Sequence, residues 1–115
     1  MKSIDYYYLI SELRSYDDLE ANWDGENADK PKKTSLNLCV NYLTKHKDIL
    51  IDMPDSMLHA DGTVSLFWNS IDGYYKEIHF LDDSNIPAIL LDKINRIKYT
   101  ITFDSNFNIV KYSQH

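Results

Sequence analysis

Residues 63–80 read TVSLFWNSIDGYYKEIHF, and their pairing decides the fold. Val64, Leu66 and Trp68 alternate with Ser65 and Phe67, and Lys76, Ile78 and Phe80 alternate with Glu77 and His79. A period of two sends successive side chains to opposite faces of a strand. The turn between the runs then sets the register. A two-residue turn at Asp72-Gly73 would put Leu66 opposite His79 and Trp68 opposite Glu77. A three-residue loop Ile71-Asp72-Gly73, with glycine in the left-handed position, puts Leu66 opposite Ile78 and Val64 opposite Phe80. Only the second keeps the apolar sides together, so it is the expected register.

The same reasoning carries outward along the chain. A turn at Asp104-Ser105-Asn106 pairs Phe103 with Phe107 and Ile101 with Ile109, giving a closing hairpin of strands near 96–103 and 107–112. A short strand near Met57 to Ala60 is expected before Asp61-Gly62. Residues 85–91, NIPAILL, stay open. Pro87 cannot donate to a ladder and so demotes this run from a central strand, leaving an edge strand, a turn of helix or a packed loop. The sheet face opposite the apolar one would carry Ser65, Phe67, Tyr75, Glu77, His79, Lys98, Thr100 and Thr102.

Before the strands the period changes. Leu9, Leu13, Tyr16 and Trp23 recur at steps of four, three and seven, the stripe of an amphipathic helix expected from Ile4 to Trp23. Leu36, Val40, Leu43 and Leu50 form a second stripe from about Thr34 to Leu50. Pro31 suits its start, and Lys45 and Lys47 suit its end. The expected fold is α+β: two N-terminal helices packed on one face of a four- to five-stranded antiparallel meander, in a single domain spanning residues 1–115.

Between the helices lies NWDGENADKP, residues 22–31. Trp23, in phase with the first stripe, is expected to pack against the sheet. Asp24-Gly25 reads as the chain reversal that follows a helix, with Asp24 bonding nearby backbone amides. These residues also carry a resemblance. Leu13, Trp23-Asp24-Gly25-Glu26, Ala28 and Pro31, then Pro54, Asp61-Gly62 and a strand ending in Trp68, resemble an uncharacterised family of small bacterial and phage proteins with an NWDGxxA..P motif. The resemblance covers roughly residues 9–80. It implies residence in prophages and other mobile regions, and it implies no chemistry. Asn27 stands where that pattern usually has glycine.

Composition narrows the function. A length of 115 residues suits one compact core, and 43% hydrophobic with 26% charged residues is the balance of a folded protein. Cys39 is the single cysteine, so no disulfide forms within the chain, and a reducing cytoplasm is the expected location. No run resembles a signal peptide or a membrane span. The net charge is −6, and residues 1–30 hold eight acids against three bases, a local −5. Direct nucleic-acid binding is disfavoured, because phosphate contacts need Lys and Arg. Mimicry of nucleic acid by the acidic helix is weakened by Lys30, Lys32 and Lys33.

No phosphate-binding glycine loop, metalloprotease helix motif or nucleophile elbow is present. Asp24 with Glu26, Glu77 with His79, and Asp82 with Asp83 are the acid-bearing pairs, and none supplies a nucleophile, base and orienter together. No catalytic residue, cofactor or metal site is expected. Nine tyrosines point instead to protein contact surfaces, and Tyr6-Tyr7-Tyr8 on a helix cannot all face the core. The candidate partner-binding residues are Tyr6, Tyr7, Asp17, Asp18, Glu20, Glu26, Phe67, Tyr75, Glu77 and His79. The expected role is a non-enzymatic inhibitor of a host or mobile-element protein with a basic surface, like an antitoxin, immunity protein or anti-defence factor. The alternative is a small-molecule or metal site on the outer sheet face, using Tyr75, Glu77 and His79. Self-association through the strand near 107–112 would give a homodimer.

Overall fold

The computed structural model describes residues 3–50, 52–69 and 73–115. Two helices, α1 (Ser3–Tyr16) and α2 (Lys33–His46), precede six strands: β1 (Asp55–Leu58), β2 (Val64–Asn69), β3 (Tyr74–Phe80), β4 (Ile86–Asp92), β5 (Ile97–Phe103) and β6 (Ile109–Gln114). The strands form one open antiparallel sheet in the order β1-β2-β3-β4-β5-β6. The fold is therefore α+β, with six strands where four to five were expected.

The decisive hairpin has the apolar register: Val64 pairs with Phe80 and Leu66 with Ile78. Gly73 is left-handed, with φ +88°. Ile71 and Asp72 lie outside the described residues. Val64, Leu66, Trp68, Ile78, Phe80, Ile86 and Ala88 form one buried cluster with Leu9, Ile10 and Leu13 of α1 and Leu36, Cys39 and Leu43 of α2. α1 touches β1, and α2 touches β2 and β3. The helices thus cover the first half of the sheet and leave the second half more open. Ser35, almost wholly buried, ties the layers: its hydroxyl donates to the Phe80 carbonyl at 2.6 Å and accepts from the Val64 amide at 2.8 Å.

Several expectations are corrected. α1 ends at Tyr16, seven residues before Trp23. The amides of Asp17, Asp18 and Leu19 bond back three residues, tightening the last turn. Two acids at a helix C-terminus oppose the macrodipole, which is a physical reason to stop there. α2 likewise ends at His46 and not near Leu50, although Leu50 still packs on the core. β1 spans 55–58, two residues earlier than the expected strand near 57–60.

Residues 86–92, held open by Pro87, form an internal strand between β3 and β5. Its ladder with β3 ends at Ile78 and Ala88, so Pro87 lies just past the last β3 pairing, where no donor is needed. The closing hairpin is also shifted: Phe103 pairs with Ile109 and Ile101 with Tyr112, with an irregularity between Thr102 and Phe103. Phe107 is the cause. It takes φ +64° and leaves the ladder. Its ring packs edge-on against Tyr42 of α2 at 5.3 Å.

Candidate functional site

The ten residues expected to meet a partner fall in two separate places. Tyr6, Tyr7, Asp17, Asp18, Glu20 and Glu26 belong to α1 and the segment after it, and Phe67, Tyr75, Glu77 and His79 project from the sheet face that the helices do not cover.

On the helical side, Tyr7 and Tyr8 are 67% and 69% exposed. Tyr6 is tied down: its hydroxyl lies 2.9 Å from Thr44 Oγ1 and the Lys47 ammonium stands over its ring. Asp17, Asp18, Glu20 and Glu26 are exposed. A cleft of about 510 Å³ runs between the helices, floored by Leu13 and Leu36 and edged by Asp17 and Lys33. Glu20 pairs with Lys30 at 3.2 Å, an exposed contact of small energetic value.

The joint that carries the acids is rigid for reasons visible residue by residue. Asp24 Oδ1 accepts from the Glu26 and Ala28 amides, and Asn22 Oδ1 accepts from the Asn27 amide. Asn27 sits at φ +67°, a region that asparagine tolerates better than other non-glycine residues, so glycine is not required there. Trp23 is not in the core. Its ring is half-buried, and Nε1 donates to the Asp29 carbonyl at 2.9 Å, clasping the loop. Ala28 and Pro31 are buried. The loop is then pinned to the β1–β2 turn: the Asp29 amide donates to Ala60 and the Lys32 amide to Gly62. Trp68, on the core face, donates to the Asp52 carbonyl. Every element of the NWDG, Pro and DG pattern therefore has a structural task here.

The outer sheet face is ordered in rows by the strand register. One row runs Asp55, Phe67, Glu77, Ile89, Thr100, Ser113 from β1 to β6. Beside it run Met57, Ser65 and His79, with Pro87, Thr102 and Lys111 continuing the line, and on the other side Asn69, Tyr75, Leu91 and Lys98. Tyr75 donates to Glu77 Oε2 at 3.2 Å. Burial and the neighbouring Glu77 carboxylate push the Tyr75 hydroxyl above its ordinary pKa.

At the β1–β2 end of this face sits a polar chain. The Thr63 hydroxyl donates to Asp61 Oδ1 at 2.6 Å, so its oxygen accepts from His79 Nε2, also at 2.6 Å. The His59 ring lies 4.7 Å from that of His79, and its Nε2 is 2.9 Å from Ser65 Oγ. Burial, then His59, lower the His79 pKa below its ordinary value. Burial alone would raise Asp61, but the Thr63 hydrogen bonds and the histidines hold it below the usual carboxylate range. Ser65 is 1% exposed, closed off from any substrate. Among the described residues, no three of His, Cys, Asp and Glu are arranged to hold a metal ion. Among the described residues, no helix is long and apolar enough to cross a membrane.

Sequence reasoning passed over Tyr8, Asp55, Ile89, Leu91 and Lys111 as parts of exposed faces, and missed the Asp61-Thr63-His79 chain. The register of β1 and β4 would have found most of them. Comparison with family models, with characterised proteins and with solved structures returned no match for this chain.

Proposed function

We propose that this chain is a non-catalytic binding module of a bacterium or its phage, which occludes a partner protein in the manner of an antitoxin, immunity protein or anti-defence factor. The observation that carries the reading is the pair Tyr7 and Tyr8, each about two-thirds exposed on a helix whose end leads into exposed acids. Tyrosine covers area at low entropic cost and keeps a hydroxyl for bonding, which suits it to the centre of an interface. Asp17, Asp18, Glu20 and Glu26 would then form an acidic rim that steers a basic partner. The cleft between α1 and α2, edged by Arg14, Asp17, Lys33 and Asn37, offers a concave, largely polar seat for a side chain from that partner. The likeness of the NWDGENADKP segment to small phage and bacterial proteins supports the mobile-element context, and a cytoplasmic location belongs to the same proposal.

The test is capture from the native host with wild-type bait and with a Tyr7→Ser/Tyr8→Ser variant whose circular dichroism is unchanged. The reading predicts one stoichiometric protein on the wild type, lost on the variant and released by rising salt. Absence of a stoichiometric partner, or equal capture by both baits, would contradict it.

A further inference from the structure

On the inner side of the sheet, α2 spans a gap. It packs along β2 and β3, and among the described residues neither helix comes alongside β4 or β5. Beyond them α2 is tied to the turn after β5: the Tyr42 ring meets Phe107 edge-on at 5.3 Å, and Lys45 Nζ donates to the Asn106 carbonyl at 2.9 Å. Between these two attachments the inner side of β4 and β5 lacks a helical cover, and a pocket of about 190 Å³ opens there. The strand register builds its floor from two neighbouring rows, Ile78-Ala88-Ile101 and Trp68-Lys76-Leu90. Tyr42, Leu50 and Phe103 complete the apolar lining. Trp68, Ile78 and Ala88 belong to the buried core, so the pocket reaches it.

Size and charge together name the occupant. A cavity of about 150 Å³ lined by aliphatic and aromatic side chains holds a benzene ring. The room here therefore suits one aromatic ring with a short substituent, and it is too small for a helix or strand of a partner. Lys76 is the one charged side chain on this face of the lining, and its Nζ stands 5.4 Å from the Trp68 ring centroid. Among the described residues no carboxylate lies within salt-bridge distance of it. Glu77 also borders the pocket, but alternation along β3 sends its side chain to the opposite face, where Tyr75 donates to it. An unpaired ammonium at the mouth of an aromatic hollow favours an anion carried on the ring's substituent. We propose that this pocket binds a small aromatic carboxylate, with its ring over Trp68 and Ala88 and its carboxylate on the Lys76 ammonium. The site goes beyond the partner-binding reading and does not depend on it.

The test is a proton–nitrogen NMR titration of the full chain with phenylacetate, with the larger indole-3-acetate, and with phenylacetamide as the neutral counterpart of the first. Saturable shifts are expected at the Trp68 indole N–H and at the Ile78, Ala88 and Ile101 amides, with a carboxylate Kd of about 1 mM or tighter. Phenylacetamide should bind at least about fivefold more weakly than phenylacetate, since it lacks the charge. Lys76→Met keeps an apolar stem over Trp68, and should bring phenylacetate down to the affinity of the amide while leaving the amide unchanged. Ala88→Leu fills the floor and should abolish binding of all three. Lys76 is exposed, so its variant carries the test if Ala88→Leu fails to fold. The inference is overturned if neither carboxylate gives saturable shifts, or if the shifts lie away from the β3–β5 inner face. Equal affinity for phenylacetate and phenylacetamide, or carboxylate binding unmoved by Lys76→Met, overturns it as well. No partner protein enters the titration, so its failure leaves the α1 reading standing.

Discussion

Gly62 lies against Lys30 so closely that a Cβ at Gly62 would stand 2.5 Å from the Lys30 carbonyl oxygen. The contact joins the loop between the helices to the β1–β2 turn, and Gly62 also holds φ +86°. Gly62→Ala should destabilise the fold by at least about 2 kcal/mol, since backbone must move and the φ is unfavourable. Gly25 has φ +76° but nothing within 4 Å of its missing Cβ, so Gly25→Ala should cost only about 1 kcal/mol. Urea denaturation of the two variants checks the difference. Equal losses would mean that the loop is not pinned to the hairpin.

Ser35 offers a second check on how the layers are joined. Ser35→Ala leaves the buried Val64 amide without its acceptor and the Phe80 carbonyl without its donor. The expected loss is about 1–3 kcal/mol, read as a lower denaturation midpoint. A neutral result would show that α2 is held to the hairpin by apolar contact alone.

Acid should weaken the fold through His79. Its folded pKa lies below its ordinary value, so the unfolded chain binds the proton more readily. The contribution is intact above the unfolded value, near 6.5, and is lost as pH falls through the lower folded value. His79→Gln keeps a donor for Thr63 and removes the titration. Its stability should change less than that of wild type between pH 7.5 and pH 5.5, as measured by urea midpoints. Identical pH slopes would place the sensitivity elsewhere.

Cys39 is fully buried, and burial pushes its thiol well above the ordinary range. A thiol reagent should therefore label the native chain only as fast as the core opens, and unfolding in urea should release full reactivity. Prompt labelling of the native protein would mean that α2 does not seal the core.

The sheet was legible where period and turn agreed. The alternation in 63–80, tested against turn length, picks out the pairing of Leu66 with Ile78 that the structure has. It fails where a residue serves a tertiary contact at the expense of a local rule. Pro87 reads as a breaker, yet it stands just beyond the β3 ladder, so its missing donor removes nothing. Phe107 reads as the partner of Phe103, but its ring packs on Tyr42, and the ladder resumes two residues later. Trp23 shows the limit of helical phase. Its seven-residue step from Tyr16 matches the stripe only if the helix continues, and two acids and an asparagine at φ +65° end it first. The indole then clasps its own loop, while Asp24 bonds the backbone amides as its position in the turn implies. The candidate surface was legible as a set of residue types, but its division between two sides of the sheet needed the strand order.

The central claim is that α1 and the joint, not the sheet face, receive the partner. Hydroxyl-radical footprinting of the complex captured from the host tests it most directly, because both surfaces carry reactive aromatic side chains. Protection of Tyr7 and Tyr8 on adding the partner, with Phe67 and Tyr75 as reactive as in the free protein, is the predicted result. Protection of Phe67 and Tyr75 on partner addition, with Tyr7 and Tyr8 unchanged, would contradict it.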